Sequence, residues 1–156
     1  TATRTSCTIS VNATTANTES LSLNAGSAGA ISVSADVGQT KSLKTLTLVN
    51  SNGATFSNPV TTGTSVVLSD TTDAQVIRFA SNLTTPTLTT TAEPYALELV
   101  GSTTTITNAT TFLNTGALTL GDAATDQLTF AGGLVATAPS AISLAGTVGT
   151  TDCRKR

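Results

Sequence analysis

The 156-residue chain contains no histidine, no methionine and no tryptophan, with one tyrosine and four phenylalanines. Without an imidazole base, every catalytic triad that needs histidine is excluded, and so are metal sites built on imidazole. Charged residues make up 10% of the chain, against about 25% in an average domain. The seven basic residues are scattered apart from Arg154, Lys155 and Arg156, and the net charge is −2. A basic stripe interleaved with aromatics is missing, so no nucleic-acid partner is expected. The terminal basic cluster reads as a solvated tail or a processing site.

Long apolar runs are also missing. Residues 127–151 are uncharged, but Gly132, Gly133, Pro139 and many Ser and Thr interrupt them. A membrane span needs about 20 predominantly apolar residues, so none is expected. No stretch of ten or more residues combines helical periodicity with caps, and almost no helix is expected. The chain starts without an initiator Met or a signal peptide, as a mature or excised chain would. Nothing suggests a cofactor.

Threonine supplies roughly a quarter of the sequence, far above its share in average domains. Its β-branched side chain favours extended backbone over helix. Disorder goes with high net charge and low hydrophobicity. Here the hydrophobic fraction is 38%, and Val, Leu and Ile are spread evenly along the chain. The pattern suits a folded protein with a thin, continuous core. The shortage of aromatics points to a narrow interior.

Short strand-like runs recur throughout: 7–11, 20–23, 30–35, 42–49, 65–69, 75–80, 87–91, 95–100, 103–108, 117–120, 127–130 and 141–145. Many alternate apolar and polar residues, as in Leu118-Thr119-Leu120 and Leu128-Thr129-Phe130. Period two means one face in and one face out. The breaks hold turn formers such as Asn52-Gly53, Asn58-Pro59, Gly121-Asp122 and Gly132-Gly133. Similar phrases return at intervals of about 20–25 residues, in the range of solenoid repeats. AISVSADVG at 30–38 matches AISLAGTVG at 141–149, and Leu46-Thr47-Leu48 matches Leu118-Thr119-Leu120.

The stretch 105–148, with its ITNATTFLNTGALTLGDAATDQLTF run, resembles the β-strand repeats of giant bacterial surface proteins, the filamentous-haemagglutinin-like adhesins. Residues 30–83 are similar, and the likeness covers about 20–150. It implies secretion, a parallel β-helix, and surface adhesion or fibre formation. The short chain and its two terminal segments depart from the family pattern.

The expected architecture is therefore all-β: a parallel β-solenoid of about six or seven coils over 20–149. Residues 1–19 would form a cap or joining strand and 150–156 a tail. Inward positions would hold Leu, Val, Ile, Ala and the phenylalanines 56, 79, 112 and 130. Coils stacked at ~4.8 Å would make a rod of roughly 30 Å with two open ends. Head-to-tail stacking at those ends would give a filament. The expected role is a structural subunit or stalk of an extracellular fibre or adhesin at the bacterial cell surface, partnered by its own copies and by surface glycans or host or abiotic surfaces. It is not expected to be an enzyme.

Cys7 and Cys153 lie near opposite ends. They are too few for a disulfide scaffold and cannot make a zinc site by themselves. A disulfide needs Cα atoms about 4.4–6.8 Å apart, so a straight rod would separate them. Two pairings stay open: a bridge between stacked subunits, or an internal bridge made by a terminal segment folding back.

Other site chemistry is thin. Asp70 with Asp73 and Asp122 with Asp126 are the nearest carboxylate pairs, and both sit where Asp is simply a good turn former. No calcium-loop spacing appears. Asn12, Asn82 and Asn108 head Asn-x-Thr sequons. Thr45-Leu-Thr47, Thr87-Leu-Thr89 and Thr103-Thr-Thr105 suit an ice- or glycan-binding face, yet regular recurrence at one coil position is not visible. The alternative fold is a pilin-like β-sandwich in which residues 1–11 donate a strand to a neighbour. Its strands would pair antiparallel.

Overall fold

The computed structural model describes residues 11–150, and within them the chain winds as a right-through stack of coils with no helix. After a single-residue contact at Val11, the first coil carries β1 (Leu21–Asn24) and β2 (Ile31–Val33). The second carries a contact at Val37, β3 (Leu43–Asn50) and β4 (Ala54–Phe56). The third holds the long β5 (Val60–Leu68), which turns a corner, and β6 (Val76–Phe79). The fourth has β7 (Leu83–Thr85), β8 (Thr87–Thr90) and β9 (Ala96–Leu99). The fifth has β10 (Thr103–Ile106), β11 (Thr110–Thr111) and β12 (Leu118–Leu120). The sixth has β13 (Gln127–Phe130), β14 (Leu134–Val135) and β15 (Ile142–Leu144). A last strand, β16 (Thr147–Gly149), opens a seventh turn.

Three faces result. The first runs from Val11 and Val37 through the start of β5 to β7, β10, β13 and β16. The second comprises β1, β3, the end of β5 and β8. It continues in β11 and β14, with β11 held beside β8 by Thr90, whose Oγ1 accepts the Leu113 N–H at 2.8 Å. The third is β2, β4, β6, β9, β12 and β15. Every strand pairing among the described residues is parallel. The antiparallel β-sandwich alternative is therefore excluded. Residues 1–10, including most of its donor strand, lie outside the described residues.

Because the pairs are in register, inward side chains form columns. On the first face the column is Val11, Val37, Val60, Leu83, Thr104, Leu128, Val148. On the third it is Ile31, Ala54, Ile77, Leu97, Leu118, Ile142, with Val33, Phe56, Phe79, Leu99, Leu120, Leu144 beside it. Successive members of the first column from Val37 onward are 20 to 24 residues apart in sequence, as the repeat spacing predicts. Phe56, Phe79, Phe112 and Phe130 all point inward and are at most 1% exposed. Burying each such side chain contributes about 1.5–3 kcal/mol. The core is thin, so each coil depends on its two neighbours for cover.

Five strands were not foreseen in the sequence: β4, β7, β11, β14 and β16. Each has only two or three residues, too short to show alternation. The two AIS-type phrases occupy equivalent places, each running from the third face into the first, as β2 into Val37 and β15 into β16. The two Leu-Thr-Leu triplets do not: β3 lies on the second face and β12 on the third.

Candidate functional site

Two features could meet a partner: the outer surface and the ends of the stack. On the outer side of the first face, Thr61, Thr84, Thr105 and Thr129 stand in one unbroken register across four coils. At the spacing of paired strands their hydroxyls repeat every ~4.8 Å. Recurrence at one coil position thus exists, although the sequence does not display it. The segments between these threonines differ in length, and the aligned residues carry no common flanking motif.

Three of the four hydroxyls in this column have no partner among the described residues. Thr61 Oγ1 accepts from Gln39 Nε2 at 2.7 Å. The side-chain hydroxyls of Thr84, Thr105 and Thr129 make no hydrogen bond among the described residues. On the second face, by contrast, Thr45 and Ser65 bond each other at 3.2 Å, and Asn108 Nδ2 donates to Thr87 Oγ1 at 2.8 Å. The expected Thr45 and Thr87 units therefore lie on a face whose hydroxyls are partly satisfied, and whose register shifts twice. The single tyrosine and all four phenylalanines are buried, so the outer surface offers no aromatic ring.

The outer side of the third face holds a cluster of ion pairs. Arg78 bonds Glu98 one coil away and lies 3.6 Å from Asp122. These groups are partly exposed, and such pairs contribute about 0–1 kcal/mol.

Of the two carboxylate pairs, Asp122 and Asp126 meet in one turn. Asp126 is buried, and its Oδ2 accepts the N–H groups of Asp122 and Ala123 at 2.9 and 3.0 Å. It caps the corner between the third and first faces, where Gly121 adopts φ +76°. A Cβ at Gly121 would lie 2.2 Å from the Ala145 carbonyl oxygen. No group of three His, Cys, Asp or Glu that could hold a metal occurs among the described residues. The sequon asparagines act between coils: Asn12 Oδ1 accepts from the Thr40 N–H, and Asn82 Oδ1 from the Thr103 N–H, both at 3.0 Å.

The ends differ from the middle. Coils two to five bury their columns, whereas Ile142 is 46% and Leu144 62% exposed. At the other end, Leu21, Leu23, Ile31 and Val33 are half-buried, and a cavity of about 250 Å³ opens against Val11, Leu21, Leu23 and Val33. Cys7 and Cys153 lie outside the described residues, and both disulfide pairings remain as the sequence left them. No helix among the described residues is long and apolar enough to cross a membrane. Comparison with known proteins found no matching family model, no curated relative and no solved structure.

Proposed function

We propose that the chain is a structural subunit or stalk of an extracellular bacterial surface fibre or adhesin, assembled by head-to-tail β-stacking. The observation that carries this reading is the exposed third-face strand of the sixth coil, β15. Ile142 and Leu144 continue columns that are buried everywhere in coils two to five, so the end presents a core position without a roof. A strand edge of this kind is a template for further pairing, and repetition of a non-closing contact gives a filament. Low surface charge and the hydroxyl-rich faces fit contact with glycans or with host or abiotic surfaces. A disulfide between Cys7 of one subunit and Cys153 of the next would lock such a fibre.

Electron cryomicroscopy of the purified protein without reductant tests the reading. Filaments with strands perpendicular to their axis are the expected result. Strictly isolated short rods at every concentration would overturn it. Cys153→Ser fibres that keep their stability under oxidising conditions would remove the disulfide from the reading and leave the stacking.

A second reading has its own observation, the in-register threonine column, in which Thr84, Thr105 and Thr129 have no side-chain partner among the described residues. A regular, uncharged array of methyl and hydroxyl groups is suited to ordering water on a periodic lattice, and the lack of exposed aromatics disfavours sugar stacking. In an ice-recrystallisation assay, inhibition lost on Thr105→Lys with the fold intact would support it; no inhibition by the unaltered protein would end it.

A further inference from the structure

Asn52-Gly53 is the single Asn-Gly pair in the sequence, and it forms the second-coil corner between β3 and β4. In such a pair the main chain attacks the preceding side chain most readily, because glycine has no Cβ to obstruct the approach. Asn52 is exposed, and its side chain has no hydrogen-bond partner among the described residues. The electrophilic amide is therefore in water and free to turn, but the nucleophile is held.

The Gly53 N–H donates to Thr71 Oγ1, one coil further on, at 2.8 Å. Thr71 is fully buried. It donates its one hydroxyl proton to the Ser51 carbonyl at 2.6 Å, so the Ser51 hydroxyl, 2.9 Å away, is a donor to it. A hydroxyl has one proton and two acceptor lone pairs, and the remaining pair takes the Gly53 N–H. The corner is bonded to both neighbouring coils around this contact. The Asn52 N–H donates to the Gly29 carbonyl at 2.7 Å, and the Gly53 carbonyl accepts from the Ile31 N–H at 3.0 Å. On the other side the Ser51 carbonyl accepts from the Thr72 N–H at 2.8 Å.

We propose that Asn52-Gly53 is a self-modification site that Thr71 holds closed. In the reaction the Gly53 nitrogen gives its proton to hydroxide and forms a bond to Asn52 Cγ. The Cγ–Nδ2 bond breaks, and Nδ2 leaves as ammonia after taking a proton from water. The succinimide then consumes one water and opens at either carbonyl, to aspartate or to isoaspartate. While Thr71 Oγ1 accepts the N–H, the nitrogen cannot turn toward Cγ without breaking that bond, and the neutral hydroxyl is no base to remove the proton. The event that sets the rate is local opening of this corner, which takes less free energy than unfolding the stack. Isoaspartate routes the main chain through Cβ and adds one methylene between β3 and β4. The modified corner loses its register with Gly29, Ile31 and Thr71 and stays open. This chemistry is independent of fibre assembly.

The test is peptide mapping by mass spectrometry of the full chain aged in mildly alkaline buffer. Trypsin, after denaturation, releases residues 45–78 as one peptide. The same peptide holds Asn58, an internal blank, because Pro59 has no N–H to attack with. In the folded protein Asn52 is expected to lose its amide far more slowly than in the chain unfolded in urea; equal rates would overturn the protection. Thr71→Val keeps the shape and removes the acceptor, so it should speed the loss by about tenfold, with isoaspartate among the products. Thr71→Ser keeps the hydroxyl and should stay near the unaltered rate. Thr85→Val weakens a different part of the stack and should also stay near it. No acceleration in Thr71→Val, or an equal one in Thr85→Val, would remove Thr71 from its role, the second by showing that global unfolding sets the rate. Hydrogen exchange of the Gly53 amide in the unaltered protein needs no variant to fold: strong protection is expected, and exchange at the free-peptide rate would sink the proposal.

Discussion

Phe56 and Phe79 stack one coil apart on the third face, with ring centroids 4.8 Å apart and planes within 6°. The separation equals the strand spacing, because the two residues are direct partners in the β4–β6 register. Parallel, in-register coils dictate the stacking. The interior has few large side chains, so these rings fill a disproportionate share of it. Replacing Phe79 by Ala should cost about 3–5 kcal/mol, and Phe79→Leu much less. Chemical denaturation of the two variants checks this. Equal losses for both would show that ring volume does not govern stability at this position.

Buried threonines divide into satisfied and unsatisfied. Thr62 and Thr85 bond each other at 2.7 Å across neighbouring coils. Thr104, at 1% exposure in the first-face column between Leu83 and Leu128, has no partner for its Oγ1. A buried hydroxyl without a partner costs about 1–3 kcal/mol. Thr104→Val keeps the shape and removes the hydroxyl, so it should stabilise the protein by about 1 kcal/mol. Thr85→Val strands the Thr62 hydroxyl and should destabilise it by a similar amount. Parallel thermal melts of the two variants decide between opposite signs.

These threonines also explain which parts of the fold the sequence reveals. Where Leu, Val, Ile or Phe mark the inward positions, as in β3, β9, β12 and β13, the alternation is plain and the strands were foreseen. Where Thr faces inward, as Thr85 does in β7 and Thr110 in β11, inner and outer residues have the same identity and the pattern vanishes. The column of Thr61, Thr84, Thr105 and Thr129 is hidden for a related reason. Corner segments vary in length, and only strand pairing brings the four into line. The six-coil architecture is legible because the spacing of phrases survives such variation.

The corner at Gly121 is constrained twice, by a positive φ and by the carbonyl of Ala145 2.2 Å from where a Cβ would sit. Gly121→Ala must strain the backbone and push against main chain of the next coil. Strain at such a φ alone costs about 1–3 kcal/mol, and the contact adds to it. Gly133 also has a positive φ, yet nothing lies within 4 Å of its Cβ position. Gly133→Ala should therefore be the milder of the two. Comparing their denaturation midpoints tests whether close approach between coils, rather than φ alone, fixes the glycine.

Tyr95 supplies a pH dependence whose direction follows from its surroundings. Its side chain is fully buried, its hydroxyl donates to the Leu68 carbonyl, and it accepts from the Thr91 N–H, each at 3.2 Å. Burial pushes its pKa above the ordinary value of 10.0, with the charges of Asp70 and Glu93 acting in the same direction. The unfolded chain therefore releases this proton near pH 10 while the folded protein still holds it. The stabilisation is fully present below pH 10 and is lost as pH rises from there through the folded value. Tyr95→Phe removes the titrating group and gives up two hydrogen bonds, so it should be the less stable protein at pH 8, by about 1–2 kcal/mol. Between pH 9 and 11 the unaltered protein should lose stability more steeply than the variant, and the gap between them should narrow. Parallel slopes in that window would mean that Tyr95 ionises as freely in the folded coil as in the unfolded chain.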